Sequence, residues 1–413
     1  MQEYVDLINS FVWSPVLVYL LLAAGLFFSV LTRFVQVRLF KEMIHLLFSS
    51  KESDRGISSF QALSVSLSGR VGTGNIAGVA AAIGFGGPGA VFWMWVVAFL
   101  GAATAYVESA LGQIYKEEDE GQLRGGPAYY IEKAMGQKWY AWIFAISTIF
   151  AVGLLLPTVQ SNAIGNAADL AFGGSGVLET SLGTVTYTKL VTAICVVFLL
   201  GFIIFGGVKR IAHFTQVVVP FMAIGYVLLA IVIILLHITE LPGILMLIVT
   251  DAFTPMAGIG AAIGWGVKRG VYSNEAGQGT GPHAAAASEV EHPAQQGLVQ
   301  AFSVYVDTLF VCSATAFMIL ITNQYYVTGI EATESGGMLS NDVLANSPAF
   351  TQYALESVVG GFGKTFVAIA LFFFAFTTIL AYYYLAETNV AYIRRTIRIP
   401  GEITALKIMM LGA

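Results

Sequence analysis

The feature that most limits this chain is a succession of long apolar stretches almost free of charge. A helix crosses the hydrocarbon core with about 20 mostly apolar residues. Such stretches fall at 14–33, 58–85, 89–114, 139–168, 188–206, 211–237, 254–270, 297–322 and 363–392, and a tenth starts near 402 and reaches Ala413. Of 413 residues, 57% are apolar and 11% are charged, against about 25% charged in a soluble domain. So little polar surface cannot coat a water-soluble core of this size. The chain is therefore read as an all-α integral membrane protein whose first partner is the lipid bilayer. The same numbers exclude a soluble enzyme, a disordered regulator and a nucleic-acid binder, which needs basic clusters. Cys195 and Cys312 lie in apolar runs and read as small hydrophobes. Glu3 and Asp6, not a basic region, precede the first span, so it reads as a retained helix and not a signal peptide.

Threading nine spans alternately places sixteen of the 20 Lys and Arg on one side, Lys51, Arg55, Lys268 and Arg269 among them. The positive side is cytoplasmic, which puts the N-terminus outside a multi-pass protein of the cell membrane. The segment 323–361 is polar and Gly-rich and is expected to cap an outer entrance with short helices. The segment 268–296 is expected to form a cytoplasmic turn and helix. No soluble domain or obligate protein partner is visible, and residues 1–413 read as a single transmembrane unit.

The informative segment is Ser68-Gly69-Arg70-Val71-Gly72-Thr73-Gly74-Asn75, in the middle of the second span. Each glycine weakens a helix by about 1 kcal/mol relative to alanine. Unpaired backbone groups in lipid cost several kcal/mol each, so a break is tolerable only beside a polar ligand or a protein-lined cavity. Glycines alone would fit close helix packing; an arginine and an asparagine in the same turns are expensive at that depth and favour a break. A second interruption is expected at Gly258-Ile259-Gly260-Ala261-Ala262-Ile263-Gly264-Trp265-Gly266. Two broken helices, each leading a block of about five spans, point to an inverted-repeat transporter with its site between the breaks. The first repeat covers 58–237 and the second 254–413, with 14–33 as an extra N-terminal helix. Free N–H groups at Thr73 and Gly74 suit a carboxylate, and free carbonyls suit a cation or an ammonium group. That pairing describes an amino acid travelling with a metal ion. Phe374-Ala375-Phe376-Thr377-Thr378, deep in the span 363–392, adds two hydroxyls and a carbonyl, hard uncharged ligands for a monovalent ion. Threonine in a membrane helix is also commonly satisfied by its own i−4 carbonyl.

The run around Gly69–Lys116, VGTGNIAGVAAAIGFGGPGAVFWMWVVAFLGAATAYVESALGQIYKEE, resembles the signature of the alanine or glycine:cation symporters. GGPAYYIEKAMG at 125–136 and GVYSNEAGQGTGPHAAAAS at 270–288 resemble further blocks of that family, so the likeness covers nearly the whole chain. The family is similar in turn to the LeuT-type transporters, a 5+5 inverted-repeat bundle with broken first and sixth core helices. The resemblance implies Na⁺ (in some members H⁺) symport of small neutral amino acids by alternating access, with no organic cofactor. It makes the amides of Thr73 and Gly74, beside Gly72 and Asn75, carboxylate ligands. It places the carbonyl of Arg70, not its side chain, at the substrate ammonium, together with carbonyls of Ile259 and Gly260 and with Ala262 nearby. One sodium site is implied at the carbonyls of Ser68, Val71 and Phe374 and the hydroxyls of Thr377 and Thr378. Gly260 stands where LeuT-type proteins place a threonine ligand for a second ion, although Asn75 is retained. Ten core helices are implied, so the second repeat is expected to continue past Ala413.

Gln160 is a further substrate candidate from the third core helix, with Asn162 and Asn166 nearby, and Trp265 is expected to bound the pocket and keep substrates small. Glu108 and Asp307 are intramembrane carboxylates, with either a coupling role or a structural pairing with Arg70. His283 and His292, with Glu289 and Glu291, lack metal-site spacing, and Gly277-Gln278-Gly279-Thr280-Gly281 lacks the G-K-[ST] ending of a phosphate loop. A channel would need a continuous polar stripe. An intramembrane hydrolase would need a histidine beside Ser64, Ser66 or Ser68, and none is placed there.

Overall fold

A computed structural model describes residues 12–48, 56–173, 176–180, 183–254, 258–398 and 400–413. Lys51, Arg55 and the N-terminal segment with Glu3 and Asp6 lie outside the described residues. The molecule is almost entirely helical. Helix α1 is Pro15–Leu31, followed by α2 (Val35–Arg38) and α3 (Phe40–Phe48). Next come α4 (Ser59–Arg70), a π-turn at Gly74–Gly78, α5 (Val79–Gly86) and α6 (Ala90–Ile114). A hairpin, β1 (Glu117–Asp119) with β2 (Gln122–Arg124), pairs Glu117 with Arg124. It leads to α7 (Pro127–Met135) and to α8 (Lys138–Phe150), which continues through a π-turn into α9 (Leu156–Phe172). A second hairpin, β3 (Val177–Thr180) and β4 (Gly183–Thr186), precedes α10 (Tyr187–Ile204), α11 (Gly207–Leu236) and α12 (Leu241–Phe253).

The second half holds α13 (Ile259–Asn274), α14 (Gly281–Ala287) and α15 (Pro293–Tyr305), the last running through a π-segment into α16 (Ser313–Ile321). It ends with α17 (Ala332–Ser335), α18 (Ala349–Val359), α19 (Phe362–Arg394) and α20 (Glu402–Gly412). Among the described residues six helices are long and apolar enough to cross a membrane, and α1, Gly74–Gly86 and α12 are shorter apolar helices. α19 is the central post. Phe374, Phe376, Leu380, Tyr382 and Tyr383 are buried in the largest apolar cluster, together with Tyr226, Ile233 and Val311. Lipid-facing helices such as α10 and α11 instead expose Phe198, Phe202 and Phe221.

α4 starts at a reciprocal cap: Ser58 Oγ accepts from the Gln61 amide, and Gln61 Oε1 accepts from the Ser58 amide. It stops at Val71, and the chain resumes as helix at Gly74. The first break therefore falls where the glycines of 69–74 place it. The second does not fall at 258–266. α13 winds without interruption from Ile259 to Asn274, and the break is Glu275–Thr280, before α14. Glu275, Gly277 and Gly279 there take left-handed φ values of 55°, 83° and 79°.

This correction has a packing reason. A Cβ on Gly266 would lie 2.5 Å from the Ala90 carbonyl oxygen, and one on Gly270 would lie 2.4 Å from Val97. Those two glycines, one helical turn apart, let α13 press against α6, as small residues do in membrane helix pairs. The span expected at 254–270 thus extends from Ile259 to Ala287. Lys268 and Arg269 leave the cytoplasmic group and lie within α13, where Arg269 donates to Asn346 Oδ1 at 3.1 Å.

The two broken spans lie side by side and antiparallel. At one end the Ile57 amide donates to the Ala287 carbonyl at 3.0 Å in an isolated parallel bridge. At the other the Phe85 ring stacks on Trp265 with centroids 4.6 Å apart. Between them the breaks meet.

Candidate functional site

The site is built where the interrupted backbones touch. A Cβ on Gly74 would sit 3.0 Å from Ser273 Cα, and one on Gly69 would sit 3.4 Å from Glu275 Oε2. At Gly74 a side chain would press on the Ser273 backbone, whereas at Gly69 the carboxylate is at van der Waals contact. Gly72 carries the same constraint toward α19, because its Cβ would lie 2.5 Å from Thr378 Oγ1.

Three backbone carbonyls and a hydroxyl converge behind the first break. Thr378 Oγ1 lies 2.8 Å from the Ser68 oxygen, 2.9 Å from the Phe374 oxygen and 3.4 Å from the Val71 oxygen. A hydroxyl donates one hydrogen, so Thr378 cannot satisfy the three carbonyl oxygens around it at once. Thr377 is less central: its hydroxyl bonds the Phe373 oxygen at 2.9 Å and the Phe374 oxygen at 3.1 Å, with Met222 Sδ at 3.9 Å. The structure thus brings Ser68, Val71, Phe374 and Thr378 together, and turns Thr377 partly back onto its own helix. Hard, uncharged oxygens of this kind suit a monovalent cation better than a transition metal. Among the described residues no group of His, Cys, Asp and Glu could hold a metal ion.

The amides of the first break are not free. The Gly72 N–H donates to Asn75 Oδ1 at 2.9 Å, and the Thr73 N–H donates to Gln160 Oε1 at 3.1 Å. Gln160, on α9, is therefore at the break, 1% exposed. Asn75 also donates from Nδ2 to Asp307 Oδ1 at 2.7 Å, and Ser273 Oγ donates to the same oxygen at 3.0 Å. Ser273, not Gly260, is thus the residue of the second broken span that faces Asn75. Arg70 turns toward α15, donating to the Gln300 carbonyl at 2.9 Å and to the Ser303 hydroxyl. Among the described residues no carboxylate is within ion-pair distance of Arg70, so the expected pairing with Glu108 or Asp307 is not formed.

Glu108 has a different partner. Its two oxygens accept from the amides of Gly277 at 3.2 Å and Gly279 at 3.1 Å. A carboxylate on α6 thereby satisfies two N–H groups that the second break would otherwise leave unpaired at membrane depth. His283 is a satisfied core histidine, with Nε2 2.9 Å from Asn389 Nδ2 and Nδ1 3.2 Å from the Thr280 oxygen.

Ile259, Gly260, Ala262 and Trp265 are not brought to the first break. From Gly260 to Glu275 the helix rises about 22 Å at 1.5 Å per residue. α13 is uninterrupted there, so its carbonyls are spent on helix bonds. Trp265 packs on Phe85 at the end of the paired spans away from Ile57 and Ala287, with Lys268 Nζ at 5.0 Å and the Arg269 guanidinium at 5.2 Å from its ring centre. The side chains that take the places expected of these residues are Tyr272, Ser273, Glu275 and Tyr382. Their sequence signal was present: Ser273-Asn274-Glu275-Ala276-Gly277-Gln278-Gly279-Thr280 mixes glycines with polar groups, as the first break does, whereas 258–266 holds no ionisable or amide side chain.

A cavity of about 560 Å³ reaches the junction, lined by Thr73, Asn162, Asn166, Arg269, Tyr272 and Asn346 among others. Asn346 to Pro348 come from the polar segment expected to cap an entrance. A smaller cavity of about 280 Å³ adjoins it at Tyr272 and is lined by Glu275, Gln278 and Tyr382.

Comparison with known proteins agrees with the resemblance in the motifs. The model of the sodium:alanine symporter family matches residues 1–413. The Bacillus subtilis (strain 168) protein YrbD is 57% identical over 417 residues, covering all of this chain and 83% of YrbD. A sodium/proton-dependent alanine carrier protein of Bacillus sp. (strain PS3) is 48% identical over 377 residues, 90% of this chain and 81% of the relative. The amino-acid carrier protein AlsT of Bacillus subtilis (strain 168) is 42% identical over 401 residues, 95% and 79% of the two chains.

Proposed function

The chain belongs to the sodium:alanine symporter family, and from that premise we propose that it couples inward Na⁺ movement to uptake of small neutral amino acids, alanine and glycine, by alternating access. The reading includes a LeuT-like 5+5 inverted repeat, 58–237 and 254–413, in the cell membrane with the N-terminus outside. The observation that carries it is the meeting of the carbonyls of Ser68, Val71 and Phe374 at Thr378 Oγ1, beside a helix break. Na⁺ binds there as cargo, with Thr377 as a weaker fifth oxygen. The ion bridges α4 to α19, so its charge is balanced by carbonyl dipoles and not by a fixed anion.

The substrate carboxylate binds at Thr73 and Gly74, at the start of the helix that resumes after the first break, where the dipole favours an anion. It takes the position on the Thr73 amide that Gln160 Oε1 holds. Gln160 then turns its amide toward the substrate, and Gly72 and Asn75 fix the loop. The Arg70 carbonyl contributes to the ammonium site. Glycine at 69, 72 and 74 keeps the pocket narrow, which limits the substrate side chain.

The test is uptake of labelled alanine into proteoliposomes under an inward sodium gradient. Saturable accumulation that collapses with the gradient is expected, with glycine competing. Downhill flux indifferent to sodium, proton and voltage gradients would remove symport from the reading.

A further inference from the structure

Glu275 is the residue of this junction that no role above uses. It is 4% exposed, follows the last turn of α13, and with Tyr272, Gln278 and Tyr382 forms the polar side of the 280 Å³ cavity, whose other side is apolar, with Leu17, Leu21 and Leu156. Its Oε2 is the atom nearest to where a Cβ on Gly69 would stand, so the carboxylate abuts the first break. The Tyr382 hydroxyl faces it, with the Thr280 side chain nearby. Among the described residues no cation lies within ion-pair distance; the Arg70 guanidinium, held to α15 through Nη1, acts on it only through space. A buried carboxylate with no cation in contact is costly and is retained where a ligand supplies the touching charge.

The backbone adds an independent sign. Glu275 takes φ 55°, a left-handed conformation that costs an L-residue with a Cβ roughly 1–2 kcal/mol. Glycine would occupy this position without that cost, and glycine is what the chain uses two and four residues later, at Gly277 and Gly279. The conformation is the αL cap that closes α13, so a charged side chain is kept at a helix-end position that glycine fills at less cost.

Resting on the proposed function, we infer that the Glu275 carboxylate pairs with the ammonium group of the amino acid while its carboxylate sits at Thr73 and Gly74. Tyr272 lines both cavities and so borders both anchor points. Tyr382 links them from α19, since it faces both Glu275 and Gln160. A zwitterion entering this junction loses water at both ends and finds an amide donor for one and a carboxylate for the other. The preference is therefore for a primary α-amino acid over its 2-hydroxy analogue.

The experiment compares labelled alanine uptake by wild type, E275Q and E275D in proteoliposomes, with lactate, which lacks the ammonium group, as competitor. In E275Q the alanine concentration for half-maximal uptake rises at least about tenfold. The preference for alanine over lactate shrinks by a similar factor, and the sodium dependence is kept. E275D retains part of the preference, and it carries the test if E275Q is not recovered folded. An unchanged half-saturation and lactate preference in the recovered variants overturns the assignment. So does an unchanged half-saturation with a flattened pH profile, which would make the carboxylate a proton site. Absence of alanine uptake by the wild type would instead remove the parent reading.

Discussion

Two glycine-rich stretches lie in the same membrane span and behave oppositely. From Ile259 to Gly266 the first is wound into continuous helix, and Glu275–Thr280 is not helical. Both hold closely spaced glycines, so glycine alone does not open a helix in a bilayer. The difference lies in what receives the freed backbone. At the second stretch Glu108 offers two carboxylate oxygens to the amides of Gly277 and Gly279. Among the described residues nothing stands within 4 Å of a Cβ at Gly260 or Gly264, and no side chain bonds the backbone there. A membrane helix breaks where a partner for its peptide groups is built in, and otherwise glycine serves packing.

The largest effect that would break this comparison is expected from Gly279→Ala. The position has φ 79°, and a Cβ would lie 2.5 Å from Pro127 Cγ and 3.1 Å from Phe144. Uptake should be lost and the thermal midpoint lowered; a variant with normal uptake would show that the break tolerates an ordinary side chain. Gly277→Ala, with only Thr104 at 3.3 Å, should be milder.

Glu108→Gln comes next. One oxygen is kept, but an NH₂ group replaces the other against a peptide N–H, leaving a buried donor unpaired at about 1–3 kcal/mol. Alanine uptake should fall about tenfold, with folded protein still recovered. Wild-type rates would mean that the break holds its shape unaided.

The first break is probed through its oxygen cluster. Thr378→Ala should raise the sodium concentration for half-maximal uptake about tenfold, equivalent to about 1.4 kcal/mol. Thr377→Ala should raise it less, because that hydroxyl already bonds Phe373 and Phe374. Equal sodium curves for all three proteins would detach the cluster from ion coupling.

The smallest effect is expected from Gly264→Ala, where nothing stands within 4 Å of the added carbon. Uptake should be unchanged, and stability should rise by up to about 1 kcal/mol from helix propensity. A marked loss of uptake there would put function back into the stretch that is helical here.

The expected outcomes also show what was legible beforehand. The spans and the first break could be read from hydropathy and from Arg70 and Asn75 among glycines, because lipid penalises both so heavily that few arrangements remain. Phe374 and Thr378 are legible as ion ligands from their own segment, whereas Ser68 and Val71 are legible only through the family resemblance, and the fold brings the two pairs together across more than 300 residues. The second break was misplaced because Gly258–Gly266 has the denser glycines, while the polar partner that decides the matter, Glu108, is 169 residues from Gly277 in sequence. Glu275 was missed for the same reason: nothing local says that a glutamate will adopt a left-handed turn beside Gly69. Gln160 was a candidate without a partner until α9 brought it to the Thr73 amide.

The contact between Ile57 and Ala287 joins the ends of the two broken spans through main-chain atoms alone. Ile57→Ala leaves the N–H and the C=O in place, so an alanine scan, which cannot alter Ala287 at all, would register the lost apolar packing of Ile57 and not this fastening. The neighbouring residue offers a handle: a methyl group on Gly56 would stand 2.4 Å from the Ala287 oxygen. Where backbone holds backbone, the tether is felt genetically only as an intolerance for bulk one residue away.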